Sequence, residues 1–310
     1  MRISSVAFGV SCLLSQAFAW GEVGHRTVAY VAYRYLSLNT QVYVDNILNY
    51  HDGRDIGDAA IWPDQIKYGR PYTAPWHYID ARDSPPTLCG LNYPADCGDK
   101  ESDGCIITAL HNYTTLFMDP KTHPLTRQEA LKYVIHFIGD IHQPLHTEDA
   151  FRGGNEIPVC FRKACSHHNL HSVWDRDIVH KLVGIPTAAT HEQETKAAKD
   201  WADRLVGVDA NLSLLKAECD DVVDPDQCSL AWARESNAWI CKYVMKPGLE
   251  WLSSNDLSLE YFDGAVPIVE YQVKMGGIRL AAWLEAMIAR AQSMQSARKG
   301  TQHVLREMEF

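Results

Sequence analysis

Beyond its first two dozen residues, this 310-residue chain has no run of about 18 uninterrupted apolar residues, which excludes an ordinary membrane-spanning helix. Positive charge is also short: 29 Lys and Arg stand against 39 Asp and Glu, for a formal net charge of −10. With a pI of about 5.7, a basic groove for nucleic acid is not expected. Bound divalent metals would change that locally, because they are often the largest charges in a site. No CxxC pair occurs, so a cysteine zinc site is not expected. Alternating strand patterns are scarce, and there is neither an internal repeat nor a low-complexity linker.

What is present begins with an N-terminal targeting pattern. Arg2 supplies a positive start, Val6 to Leu14 an apolar core, and Ala17-Phe18-Ala19 a small-residue cleavage site. Residues 1–19 therefore read as a secretion signal, leaving Trp20 as the first mature residue of an extracellular protein. Loss of Cys12 with the signal leaves eight cysteines, an even number that favours disulfides in an oxidising compartment. Short separations suggest Cys97–Cys105, Cys160–Cys165 and Cys219–Cys228, leaving Cys89–Cys241 as a long staple, although eight cysteines allow 105 pairings. Asn112-Tyr113-Thr114 and Asn211-Leu212-Ser213 are glycosylation sequons.

The helical period dominates. Val28, Val31, Ala32 and Tyr35 form one apolar face, and Leu131, Val134, Ile135, Ile138 and Ile141 form another. Thr126 to Glu129 reads as a capping box for the second helix and Pro144 as its stop. Leu280, Leu284 and Ile288 mark a late helix, while segments 80–104 and 150–168 read as stapled loops. The expectation is an all-α single domain over residues 20–296, with a polar tail at 297–310.

The chemistry sits in a scatter of His and Asp. His136 and Asp140 stand at i, i+4 and so share one helix face, and His171 and Asp175 repeat the spacing. His146 lies between these pairs; Asp64, His77 and His25 lie upstream. A free α-amino group on Trp20, close to His25, can chelate a metal. Neutral imidazole and carboxylate are the ligands zinc takes when a position must stay open for water. The pattern points to a secreted zinc enzyme. His142, between the ligands, reads as a supporting residue rather than a ligand.

These residues also carry a resemblance. Trp20 to His25, the run from His136 to His146, and Asn169 to Asp175 are similar in order and spacing to the zinc-dependent, single-strand-specific nucleases of fungi and plants, over nearly the whole mature chain. The resemblance implies an α-helical fold with three zinc ions in one cleft. One ion would take Asp64, His77, His136 and Asp140; a second His146, His171 and Asp175; the third the amino and carbonyl groups of Trp20, His25 and the other oxygen of Asp140. It further implies a hydroxide held between two ions as the nucleophile, 5′-phosphorylated products from single-stranded RNA and DNA, and removal of 3′-phosphates from nucleotides. Lys67 stands where the family places a cation against developing phosphate charge. Asn155 matches a family position that contacts the base or phosphate, and Tyr78 and Asp80 adjoin His77, where an unpaired base could stack on the Tyr78 ring and hydrogen-bond the Asp80 carboxylate. A monomer is expected. Zinc phospholipases C share the starting Trp and the three ions, but typically end the ligand set with His and Glu, whereas His171 and Asp175 follow the nuclease pattern. A secreted zinc-sequestering protein would be expected to have lost a ligand, and none of the nine is missing.

Overall fold

The computed structural model describes residues 20–98, 104–207 and 219–308. The expected signal sequence and the Asn211 sequon lie outside those residues. Among the described residues there are eleven α-helices and no strand beyond isolated bridges. They are α1 (Glu22–Tyr35), α2 (Leu38–Leu48), α3 (Ile56–Ile66), α4 (Ile106–Met118), α5 (Pro124–Asp140), α6 (Leu170–Ser172), α7 (Ile178–Val183), α8 (His191–Val206), α9 (Pro225–Trp239), α10 (Leu249–Ser254) and α11 (Glu260–Met308). The all-α expectation holds.

Helix α1 is the hub, packing against α3, α8 and α11. Its expected apolar face is buried, but so are His25, Arg26 and Thr27, so the helix is enclosed on nearly every side. Full burial of a Val side chain contributes about 1.5–3 kcal/mol, and Val23, Val28 and Val31 are all at 0% exposure. Gly277 of α11 permits the close approach of the two helices, because a β-carbon there would collide with Val31.

Helix α5 carries the central apolar face, and every residue from Ala130 to Asp140 is buried. Its start differs from the expected capping box. The helix begins at Pro124, and the His123 ring accepts a hydrogen bond from the Leu125 N–H at 3.3 Å. Proline's fixed φ suits the first helical position, so the start lies ahead of Thr126. The helix ends at Asp140, short of Pro144, which opens a 3-10 turn over Pro144–Thr147. The late helix is far longer than its apolar core suggested: Leu280, Leu284 and Ile288 are buried within α11, which continues through the polar residues after 296 to Met308.

Four disulfides join Cys89–Cys241, Cys97–Cys105, Cys160–Cys165 and Cys219–Cys228. The first ties the loop after His77 to the π turn Ile240–Val244 that follows α9. No described helix is long and apolar enough to cross a membrane. Asn112 is exposed on α4, while Thr114 of its sequon is buried and accepts a hydrogen bond from the Trp283 ring.

Candidate metal centre

The structure gathers these ligands from six elements of the chain. Asp64 comes from α3, His77 from the end of a 3-10 segment (Pro71–His77), and His136 and Asp140 from the last turn of α5. His146 follows in the next 3-10 turn. His171 sits in α6, and Asp175 in a π turn over Val173–Asp177. Such π turns are rare and frequent at functional sites. Every one of these side chains is buried.

His146 and His171 show most clearly what the cluster is built for. The Nδ1 of His146 lies 2.8 Å from the His77 carbonyl, and that of His171 lies 2.6 Å from the Gly153 carbonyl. A carbonyl only accepts, so each Nδ1 carries the proton and each Nε2 presents a lone pair. Those two lone pairs face each other across 3.2 Å. Asp175 Oδ2 lies 3.2 Å from the same His171 nitrogen and makes no hydrogen bond, while Gln143 holds the other oxygen. Three acceptors converging in a dry site repel one another unless a cation lies between them. Burial, the largest influence, pulls His146 down to about 4, which keeps its imidazole neutral and able to ligate.

The second cluster centres on Asp140. His136 Nδ1 lies 2.6 Å from the Ala60 carbonyl, so its Nε2 faces inward, 3.1 Å from Asp140 Oδ2 and 2.9 Å from His77 Nδ1. His77 Nδ1 is 3.0 Å from the same oxygen. Asp64 Oδ1 lies 3.7 and 3.8 Å from these two nitrogens. The other oxygen of Asp140 points toward His25, whose Nε2 is 3.1 Å away. His25 stacks on His136 with ring centres 4.1 Å apart, and neither of its nitrogens makes a hydrogen bond. Asp140 thus offers one oxygen to each of two donor sets. His25, Asp64 and His136 also have ligand atoms within 4.8 Å of one another, so the two sets are contiguous. Trp20 is fully buried, and the Gly21 N–H donates to the Asp175 carbonyl at 2.8 Å.

Electrostatics around Asp140 are one-sided. Burial is the largest influence and acts upward, but His136, His25 and His77 together outweigh it, holding the carboxyl well below its ordinary range. Burial likewise dominates His25 and His77 and lowers both. For His136 and His171 burial acts downward but is outweighed by the neighbouring aspartates, so both are raised. The donor set is nitrogen and carboxylate oxygen, buried, with several ligand atoms lacking any hydrogen-bond partner, and it suits zinc.

A cleft of about 600 Å³ opens onto this centre, lined by Lys67, His77, Tyr78, Asp80, His146, Asn155 and His171 among others. Lys67, at the end of α3, lies 2.8 Å from Asp64 Oδ1. Tyr78 is 36% exposed, leaving part of its ring available to a ligand. Asn155 donates to the Arg152 carbonyl at 2.8 Å. The cleft therefore brings together every expected substrate residue. Arg152 and Glu148 line it as well and carried no signal in the sequence. His142 is a supporting residue: its ring bonds to the Ile138 carbonyl and Arg279 and makes no contact with an acidic ligand.

Comparison with known proteins agrees with this geometry. The S1/P1 Nuclease family matches residues 20–289. Nuclease S1 of Aspergillus oryzae is 35% identical over 291 residues, covering 92% of this chain and 97% of that protein. Nuclease P1 of Penicillium citrinum is 36% identical over 272 residues, 86% and 96% of the two chains. Endonuclease 4 of Arabidopsis thaliana is 32% identical over 293 residues, 89% and 92%. A His and Asp cluster at the floor of an open cleft, in a helical chain matched from Trp20 almost to its end, places this protein in the S1/P1 nuclease family.

Proposed function

We propose that this hydrolytic nuclease cleaves single-stranded RNA and DNA to 5′-phosphorylated products and removes 3′-phosphates from nucleotides, using three zinc ions. The observation that carries this reading is the pair of opposed Nε2 lone pairs on His146 and His171, beside an Asp140 whose two oxygens serve separate donor sets. Asp64, His77, His136 and Asp140 would hold one ion, His146, His171 and Asp175 a second, and Trp20, His25 and Asp140 a third. Bound zinc supplies a low-pKa water as nucleophile and neutralises phosphate charge.

The chain's own residues do the rest. Asp140 keeps its charge in a dry site and fixes the two donor sets side by side. The Nδ1 bonds to the Ala60, His77 and Gly153 carbonyls fix the tautomers of His136, His146 and His171. Lys67, on the cleft wall, places a point charge against the developing phosphate charge. Tyr78 offers a ring for stacking, Asp80 a carboxylate to hydrogen-bond the base, and Asn155 an amide to the base or phosphate. Stacking contributes about 1–3 kcal/mol per base and needs an unstacked base, which favours single strands over duplexes. The family match does not support the phospholipase alternative.

We also propose that residues 1–19 are removed on secretion, exposing the Trp20 amine, and that 20–296 act as one monomeric domain with 297–310 as an appendage. The family match beginning at Trp20 supports this start. Glycans are proposed at Asn112 and Asn211. The test is metal content and polynucleotide hydrolysis on protein with a verified Trp20 terminus, beside a form carrying one extra N-terminal residue. Three zincs with single-strand hydrolysis, and loss of one zinc and of activity on extension, is the expected result. Full activity in the extended form would sink the N-terminal ligand.

A further inference from the structure

A second cavity, of about 290 Å³, adjoins the cleft and shares Tyr78, Asp80 and Asp149 with it. Its remaining walls include Pro75, Arg82, Gly98 and Gly104. One 3-10 segment contributes residues to both cavities. In a 3-10 helix, residues three apart lie on the same face. In the Pro71–His77 segment, Pro71, Ala74 and His77 form the row that lines the main cleft. Pro75, which lines the second cavity, lies on the adjoining row with Tyr72, and Tyr78, the extended residue that ends the segment, lines both cavities. Tyr72 is 60% exposed, with its ring meeting Trp76 edge-on at 5.7 Å.

Each cavity also carries its own cation. Lys67 and Arg152 line the first, and Arg82 the second. Arg82 is exposed, donates to the Gly98 carbonyl at 3.1 Å, and pairs with no described carboxylate. A guanidinium held at one corner by a carbonyl keeps further N–H groups for a phosphate.

Resting on the nuclease reading above, we infer that the second cavity is a subsite for the neighbouring nucleotide of the same strand. Its base lies against Pro75 and Tyr78, with the exposed Tyr72 one turn further along the segment, and its phosphate meets Arg82. Asp80 and Asp149 on the shared wall repel phosphate, so Arg82 is the residue that makes the cavity tolerate one. The ligand class is an unpaired nucleotide within a longer strand, and a minimal substrate would leave the subsite unused.

The experiment compares kcat/KM for a nucleoside 3′-monophosphate and a single-stranded oligothymidylate of about twelve residues, in wild type, Arg82→Gln, Arg82→Lys and Tyr72→Ala, across a series of salt concentrations. Arg82→Gln should lower the ratio of long-substrate to short-substrate kcat/KM about tenfold, mainly through KM. It should also flatten the logarithmic salt dependence on the long substrate by about 0.7, the value for one lost single-strand phosphate contact. Arg82→Lys should keep the salt dependence, and Tyr72→Ala should lower the ratio without altering the slope. Equal losses on both substrates, or an unchanged slope in Arg82→Gln, would overturn the subsite and leave the nuclease reading standing. A wild-type protein that leaves the oligothymidylate intact would remove the nuclease reading itself.

Discussion

Gly139 is the position where one added carbon tests the metal centre most directly. It lies in α5, one residue before Asp140, with ordinary helical backbone, so alanine would normally help the helix by about 1 kcal/mol. Here the new β-carbon would fall 2.7 Å from His25 Nδ1 and 3.0 Å from its Cε1. Comfortable contacts begin near 3.5 Å, so the imidazole must retreat by roughly 0.5–1 Å. That ring is stacked 4.1 Å from His136 and aims its Nε2 at Asp140 Oδ1, 3.1 Å away. Overpacking of this kind costs about 1–3 kcal/mol; set against the helix gain, the net destabilisation is about 0–2 kcal/mol. At about 2–4 °C per kcal/mol for a chain of this size, Tm should fall by less than about 8 °C. A misplacement near 1 Å costs about 100-fold in rate. Gly139→Ala should therefore fold, carry about one metal ion fewer per chain, and lose about two orders of magnitude in kcat on single-stranded polynucleotide. Metal analysis, steady-state kinetics and a thermal melt read the three quantities together. Full metal content and wild-type kcat would refute the argument that His25 is held in place by the absence of that carbon.

Three further outcomes follow from the same geometry. Gly153 has φ +58, and a β-carbon there would sit 2.7 Å from the Leu145 carbonyl and 3.3 Å from His171 Nδ1. Gly153→Ala should lower zinc affinity at the His146 and His171 pair by about 10–100-fold, measured by competition with a chelator; unchanged affinity would remove the Gly153 carbonyl from the site. Burial, then Glu22, raises Glu194 to about 7. The folded chain therefore keeps a proton that the unfolded chain releases, and the stability this gives is full below pH 4.5 and lost as pH rises through 7. Discounted for solvent screening of a partly buried group, that amounts to about 1–2 kcal/mol, so Tm of wild type should fall several degrees more than that of Glu194→Gln between pH 4.5 and 8, and parallel curves would contradict it. Cys89–Cys241 spans 152 residues, and its paired replacement by serine should lower stability by about 4–5 kcal/mol on the loop-entropy estimate, read as a Tm drop of roughly 10 °C or more; a drop under about 3 °C would show that the staple constrains little.

The parts of the site that were legible in the sequence are those carried by short spacing. His136 and Asp140, and His171 and Asp175, announce themselves at i, i+4, and both pairs are in place. The orienting groups were not legible, because most are backbone. The carbonyls of Ala60, His77 and Gly153 fix three imidazoles, and a carbonyl has no residue type to read. Gln143 was visible as a polar residue between ligands, but its bond to Asp175 spans 32 residues, a separation that no local pattern reports. The start of α5 was misread because two local signals competed, and Pro124 with His123 prevailed over Thr126 and Glu129. The length of α11 escaped because its apolar core covers only part of it and Pro267 and four glycines interrupt the pattern.

The position of α1 sets the order in which this molecule can be completed. The segment at the head of the described chain lies against the late helices α8 and α11, and its Gly21 bonds to Asp175 from the middle of the sequence. During synthesis α1 must therefore wait, without its partners, for nearly the whole polypeptide to emerge. Contacts of such long sequence separation form slowly, and domains of this size pass through incomplete intermediates. A partly made chain would lack the enclosure that holds His25 against Asp140. Nuclease activity would then be the last property to appear.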